Sequence, residues 1–218
     1  METVDFNTSS FLTESQKKQR KSTEIRKQEI VDISWDLLTQ HGAAYVTIKN
    51  ISQKAQISEA AIYRHYKDKH SILMALVENF ESHVMDNIDN PARVYKNPLL
   101  KLKEIMKNHL ILTETRQRIM FAITAESIHF NDDELRRKIL SVIENYKERI
   151  KDILKQARKQ GLVRKNVNLD SVSFVFFGLI EAAVIQYALT NYTVPPIGKF
   201  NTLWQVFLNG IYEAQPDI

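Results

Sequence analysis

The sequence predicts an all-α fold of about nine helices, in which a small N-terminal three-helix unit precedes a larger helical part. Its 218 residues include only five glycines and five prolines, a composition typical of helices rather than of turn-rich β structure. Apolar residues recur mainly at spacings of three and four, and no segment alternates convincingly in the manner of a strand. A hydrophobic fraction of 44% is enough for a sizeable core.

Residues 1–21 are predicted to form a disordered basic arm. They are polar, acidic before they are basic, and lack the basic-then-apolar order of a signal peptide. The basic run at 17–21 is either a solvated tail or a nucleic-acid contact, and the sequence leaves both interpretations open. The net charge of +4 is weak evidence for nucleic acid. The absence of cysteine excludes a disulfide scaffold and a thiolate zinc site, and it fits a reducing cytoplasm.

Residues 22–70 are predicted to form the three-helix unit. The first helix should cover about 23–41 and end at Gly42. Thr47 and Ser58 stand where N-caps belong, so short second and third helices should begin directly after them. Apolar residues at helical spacing bury one face of the unit: Ile48, Ile51, Ala55, Ile57, Ile62 and Tyr66. Two short helices joined by a tight turn indicate a helix-turn-helix, whose second helix lies in the major groove of DNA.

This unit resembles the DNA-binding domain of the TetR/AcrR family of bacterial transcriptional repressors. Residues 25–42 are similar to the first helix of the family, and 51–55 to its Ile-Ala-x-x-Ala core. The segment YRHYKDK at 63–69 is similar to the family signature Tyr-x-[His/Tyr]-Phe-x-x-Lys. The chain departs from the family at Gln56, which replaces a turn glycine and is therefore predicted to be left-handed. Glu59 is an unusual acid to find beside phosphates.

The resemblance implies a TetR-like transcriptional regulator. Such a repressor binds a palindromic operator in double-stranded DNA as a homodimer and is released by a small, mainly apolar inducer. The third helix carries small residues, Ala-Ala instead of the frequent Gly-Thr, which permit a close approach to DNA. The candidate DNA-binding residues lie at the N-caps, on the third helix and at nearby basic or signature positions: Thr47, Lys49, Ser58, Glu59, Ala60, Ala61, Tyr63, Arg64, His65 and Lys69.

These candidates have different expected roles. Other residues claim the buried face of the third helix, so Tyr63 should point outward and give its hydroxyl to a phosphate. Arg64 is the candidate for a base contact, since arginine with guanine is the commonest specific pair. His65 contacts a phosphate, contacts a base or packs internally, and the sequence does not decide. Lys69 lies in the first turn of the fourth helix, where the dipole disfavours a cation, so a nearby phosphate would resolve that conflict.

Residues 71–218 are predicted to form a ligand-binding and dimerisation domain, a role that the resemblance implies and that no motif carries. The fourth helix should run from about 68 toward 88. The Asn-Pro pairs at 90–91 and 97–98 should bracket a loop, because proline disfavours helix in the preceding residue. A capping-box sequence at 131–134 opens a long seventh helix. Two apolar helices, the eighth and ninth, follow it.

By resemblance, an inducer lies among helices four to eight, and two copies pair through helices eight and nine. The candidate ligand-binding residues are apolar or isolated polar side chains in those segments: Leu102, Met106, His109, Met120, Phe121, Thr124, Ile143, Tyr146, Phe177, Ile180 and Glu181. Plain core packing is the competing interpretation for each of them. The candidate dimer-interface residues form the surplus apolar faces of the last two helices: Val175, Leu179, Phe200, Leu203, Trp204, Phe207 and Ile211.

Three other classes of protein were weighed. The segment 172–189 is apolar nearly all round, but it is barely long enough for a membrane span and carries Glu181 and Gln186, so it is interpreted as a buried helix and no membrane is expected. An enzyme is disfavoured because a glycine-rich phosphate loop, a G-x-S-x-G elbow and an H-x-x-x-H pair are missing, and no metal or cofactor is predicted. The remaining alternative is a TetR-like DNA-binding protein that has no inducer and recruits a protein partner. An internal cavity would favour the inducer, and an exposed contact surface would favour the partner.

Overall fold

The computed structural model describes residues 22–116 and 118–212, and within these ranges the side chains of 115–121 are not described. The described chain forms nine α-helices and two short 3₁₀ helices. This confirms the predicted all-α class, with a small N-terminal helical unit followed by a larger helical part.

Three helices form the N-terminal unit: α1 (Thr23–His41), α2 (Ile48–Ala55) and α3 (Glu59–Tyr63). Ser22 caps α1 by accepting a hydrogen bond from the Ile25 amide at 3.3 Å. Gly42 ends α1 with a positive φ of 85°, a conformation that glycine adopts without a steric penalty. The three helices bury the apolar side chains of Ile30, Ile51 and Ile62 against one another, which fixes the position of the short α3.

The turn between α2 and α3 follows the local rules predicted from the sequence. Gln56 is left-handed, with φ 54° and ψ 43°, and ends α2 without a glycine. Its amide donates to Gln53 and Ser52 carbonyls, so the conformation is held by hydrogen bonds of the helix end. Ser58 then caps α3, accepting from the Ala61 amide at 3.2 Å, and α3 begins at Glu59 as predicted.

Six further helices form the C-terminal part: α4 (Lys69–Val94), α5 (Pro98–Arg116), α6 (Arg118–His129), α7 (Asp133–Lys159), α8 (Leu169–Leu189) and α9 (Phe200–Ile211). The sequence predicts a loop bracketed by the Asn-Pro pairs at 90–91 and 97–98. The start of this loop is wrong, since α4 continues through Pro91 to Val94. Pro91 cannot donate a helical hydrogen bond, and burial of its ring in the core offsets part of that cost. Its carbonyl still accepts from the Tyr95 amide at 3.0 Å, so the helix continues past it.

Helix α7 packs along α8, α4 and α5, and α6 joins the N-terminal unit to α7. Helix α8 is long and apolar enough to cross a membrane by length and composition, a test that the core helix of a soluble protein also passes. One face of α8 packs inside the bundle through Phe176, Ile180 and Val184. Other sides of α8 leave apolar side chains exposed, including Val175 and Phe174, and the Lys147 ammonium of α7 lies 5.7 Å from the centroid of the Phe174 ring.

Candidate functional site

The surface of α3 presents the side chains that were predicted to face DNA. Glu59, Ala60 and Arg64 are exposed, and Tyr63 keeps 54% of its surface exposed, as expected if the buried face is claimed by other residues. The hydroxyl of Thr47 caps α2 by accepting from the Asn50 amide at 3.1 Å, in the same way that Ser58 caps α3. Lys49 is exposed on α2 and Ala61 is half-buried on α3. Both N-caps therefore lie where the sequence predicts them, and the DNA contacts themselves stay a prediction.

His65 and Lys69 are half-buried. The Nδ1 atom of His65 is buried and has no hydrogen-bond partner in the described part of the chain. Lys69 forms an ion pair with Glu126 of α6, and its ammonium donates to the Ala43 carbonyl at 3.3 Å. Glu126 supplies the opposite charge, so the conflict between Lys69 and the dipole of α4 is resolved within the chain without a phosphate. Contact of Lys69 with DNA stays a prediction.

A second polar cluster joins the start of α4 to the start of α7. The Nδ1 atom of His70 lies 2.7 Å from Asp132 Oδ2, and its Nε2 lies 3.2 Å from Glu134 Oε2. Burial alone lowers the pKa of His70, but the hydrogen bond to Asp132 and the charges of Asp132, Glu134 and Asp68 outweigh it and raise the pKa above its ordinary value. Together with the ion pair of Lys69, this cluster ties the start of α4 to α6 and α7, and the hydrogen bond from Lys69 to Ala43 extends the connection to the N-terminal unit. Sequence reasoning missed it, because the partners are 62 residues apart.

A cavity of about 270 Å³ lies among α4, α5, α6, α7 and α8. Six of the predicted ligand-binding residues line it: His109, Thr124, Ile143, Tyr146, Phe177 and Glu181. The sequence missed six others, which are apolar: Phe80, Val84, Ile139, Val142, Val184 and Ile185. The prediction of ligand contact is wrong for Leu102, Met106 and Ile180, because they are fully buried in the core and do not line the cavity. Met120 and Phe121 lie outside the described side chains.

Burial in apolar surroundings changes the pKa values of the polar groups in the cavity. His109 Nδ1 and the Tyr146 hydroxyl lie 3.0 Å apart, and the two rings meet edge-on. Burial lowers the pKa of His109 to about 4, so its ring is neutral at neutral pH. Burial, and then the charge of Glu181, raises the pKa of Tyr146. Burial also raises the pKa of Glu181 to about 7. The cavity is therefore mainly apolar, with a neutral histidine–tyrosine pair and one carboxyl group.

Part of the predicted dimer surface is buried within a single chain and cannot form the subunit contact. Phe200 and Trp204 are buried in the core of a single chain, and Phe207 and Ile211 are buried too, reaching only the floor of a groove of about 360 Å³ between α8 and α9. These side chains pack within the monomer because α9 lies against α5 and α8. The apolar side chains of the two helices that stay exposed or half-exposed instead include Phe174, Val175, Leu179, Leu203 and Val206. We call these five residues the α8–α9 face.

The comparisons with known proteins agree with this architecture. A helix-turn-helix unit attached to a helical part that contains a cavity is the architecture of a class of bacterial DNA-binding regulators. Residues 30–76 match the bacterial regulatory proteins of the tetR family, and residues 73–210 match the C-terminal region of YsiA-like proteins. The chain belongs to the TetR family and is a TetR-family transcriptional regulator. TetR-family regulators bind DNA and usually act as dimers.

Individual relatives are distant. The nucleoid occlusion factor SlmA of Aliivibrio fischeri (strain MJ11) is 22% identical over 180 residues, covering 82% of this chain and 92% of that protein. The fatty acid degradation regulator FadR of Bacillus halodurans superposes with a TM-score of 0.76 at 18% identity, covering 88% of this chain and 98% of that one. FadR of Bacillus subtilis, solved in complex with stearoyl-CoA, has a TM-score of 0.74 at 18% identity, covering 85% of this chain and 99% of that one. Such likeness shows the fold, and the family and these neighbours are DNA-binding regulators rather than enzymes.

Proposed function

We propose that this protein is a cytoplasmic, nucleoid-associated repressor, without enzymatic activity, that binds a palindromic operator as a homodimer. A small, mainly apolar ligand in the cavity among α4–α8 then releases it from DNA. The observation that carries the proposal is the cavity itself. It lies inside the helical part, its walls are almost entirely apolar, and a few polar groups converge in it, which is the usual character of a small-molecule site.

The proposed DNA interface is the exposed side of α3 together with the two capped helix starts. Tyr63 and Lys49 contact phosphates, Arg64 contacts a base edge, and the small Ala60 and Ala61 let the backbone approach the groove. Two copies of α3 have to lie about one DNA turn apart, roughly 34–36 Å. The α8–α9 face supplies the subunit contact in this proposal, because it is the surplus apolar surface of helices whose other sides are already packed.

The contacts of α6 provide a route from the ligand to DNA. Thr124 lines the cavity, and two residues later Glu126 pairs with Lys69, the first residue of α4. Lys69 also contacts Ala43, which precedes α2. A ligand that displaces α6 must therefore either break this ion pair or move the N-terminal unit with it. Because coupling between two sites is reciprocal, DNA lowers the affinity for the ligand by the same factor.

The apolar walls and the structural neighbours support an apolar ligand. One neighbour was solved with stearoyl-CoA, which carries a long apolar chain. A second candidate function is a DNA-binding protein that recruits a protein partner. It is favoured by Ile128 and Phe130, which are exposed beside the α6–α7 turn, and by the relatives named nucleoid occlusion factors, a name that mentions no small molecule.

The experiment that separates the two functions fills the cavity. Thr124→Trp places an indole in the cavity, and Ala125→Trp places the same group on the neighbouring exposed position of α6. An operator is first selected from random duplexes with the wild-type protein. If the cavity controls DNA binding, Thr124→Trp should change operator affinity by roughly 5–150-fold, the typical range of allosteric coupling, and Ala125→Trp should not. Equal operator affinities for a folded, dimeric Thr124→Trp protein and the wild type would reject the inducer function and leave the protein-recruiting one.

A further inference from the structure

Glu181 is the one carboxylate among the described residues that line the cavity. No hydrogen bond or ion pair connects its carboxylate to any part of the chain that the structure describes. Two polar side chains of the cavity, His109 and Tyr146, are hydrogen-bonded to each other. A carboxylate that loses water without gaining a partner is costly, so this position serves packing poorly.

The groups around Glu181 are suited to a positive charge. Tyr146 and Phe177 both line the cavity, with ring centroids 5.8 Å apart, and their faces can attract a cation. The neutral ring of His109 brings no positive charge that could pair with Glu181. Among the described residues that line the cavity, one unpaired carboxylate and two aromatic ring faces therefore give a negative potential in apolar surroundings.

We propose that the ligand of this cavity is a cationic amphiphile, with one protonated or quaternary amine that pairs with Glu181 and an apolar tail that fills the remaining space. The inference rests on the proposed function and names the chemical class of the ligand. At about 270 Å³ the cavity is close to the lower end of the range of roughly 300–1,000 Å³ that is usual for small-molecule sites, so its ligand is a small amphiphile.

Other ligand charges fit this cavity less well. An anionic head group would place a second negative charge beside Glu181 where water is largely excluded. A neutral head group can donate a hydrogen bond to the carboxylate but leaves its charge uncompensated. A cation alone neutralises that charge, so Glu181 selects the class of ligand as well as holding it.

Three probes with the same tail test this selection: octyltrimethylammonium, octanol and octanoate. Calorimetric titration of the full-length wild-type dimer at pH 8 should show the cation binding at least about tenfold more tightly than the other two. Glu181→Gln keeps the shape of the side chain and should remove this preference. Glu144→Gln changes the same charge on the exposed side of α7 and should retain it.

A pH series on the wild-type protein gives a second measure that needs no substitution. Glu181, with a pKa of about 7, is ionised in most molecules at pH 8 and in few at pH 6. Cation affinity should therefore fall about tenfold on going from pH 8 to pH 6. The quaternary amine does not titrate, and the other titratable groups of the cavity, His109 and Tyr146, stay neutral at both values. Among the side chains that the structure describes, helices α4 and α6 contribute Phe80, Val84 and Thr124 to the cavity, and none of these titrates.

The possible outcomes separate this inference from the function on which it rests. Octanol, octanoate or stearoyl-CoA binding as tightly as the cation, or equal binding by Glu181→Gln, would overturn the cationic class while the cavity remained a ligand site. Absence of binding by all probes would also overturn it. The proposed function fails separately, if Thr124→Trp leaves operator affinity unchanged.

Discussion

The α8–α9 face yields the most quantitative prediction, through Val206→Asp. Val206 keeps 59% of its surface exposed in the single chain, and its neighbours Phe207 and Trp204 are buried. Fully burying a valine side chain is worth about 1.5 kcal/mol, so covering the exposed fraction in a dimer contributes about 0.9 kcal/mol. A twofold axis uses the residue twice, which gives about 1.8 kcal/mol, or roughly a 20-fold change in the dissociation constant.

This value is a lower bound for the aspartate variant. Val206→Asp also places two carboxylates in or near an apolar contact, and an unpaired buried carboxylate adds further cost. The folded monomer should be affected much less than the dimer, because most of the Val206 side chain faces outward in the single chain. Phe207→Asp should instead unfold the protein, since Phe207 is buried against Phe176 and Trp204.

The assay is sedimentation velocity over a wide range of protein concentration, with circular dichroism to check the fold. Val94→Asp is the matched control, because Val94 is 73% exposed at the end of α4, away from α8 and α9. Val206→Asp should dissociate at least about 20-fold more readily than the wild type, and Val94→Asp should not. A dimer of wild-type strength in a folded Val206→Asp protein would place the subunit contact elsewhere on the chain.

Two further predictions concern DNA and pH. Arg64→Ala should reduce discrimination between operator and random duplex by about 1–3 kcal/mol, whereas Lys49→Ala should weaken both alike and lower the salt slope by about one, as titrations at several salt concentrations would show. Because the pKa of His70 is raised above its ordinary value of 6.5, the stability it gains from Asp132 is fully present below about pH 6.5 and is lost as pH rises through the raised value. The difference in urea midpoint between wild type and His70→Gln should therefore shrink above neutral pH, and a constant difference would contradict this coupling.

The parts of the fold that local chemistry controls were predictable from the sequence. Ser58 caps α3 and Gln56 is left-handed because each conformation depends on a few neighbouring residues and their backbone groups. Pro91 shows the limit of such rules. The preference against helix before proline is worth little when the proline lies near the end of a 26-residue helix that is packed on its neighbours. The core then decides where the helix ends.

The direction in which an apolar helix face points was not predictable in the same way. The sequence of α9 places Phe200, Trp204 and Phe207 on one broad apolar face, and nothing in that pattern says whether the face meets the same chain or another. The structure packs these residues inward, so the outward contact is left to smaller side chains such as Val206. The lining of the cavity was hard to predict for the same reason. His109 and Tyr146 were candidates as isolated polar residues, but Val142 and Ile139 are indistinguishable from core residues until α4 and α8 are in place.

The contacts that join the two parts of the molecule were the hardest to predict from the sequence. Lys69 and Glu126 are 57 residues apart, and the sequence alone suggested that Lys69 needed a phosphate. In the structure the same lysine is the first residue of α4, the partner of α6 and a donor to the segment before α2. A charge that is already paired within the protein gains less from DNA, but it holds the helix-turn-helix unit at a defined angle to the cavity wall. The lysine that ends the signature at 63–69 therefore helps to set the position of α3 through its contacts within the chain.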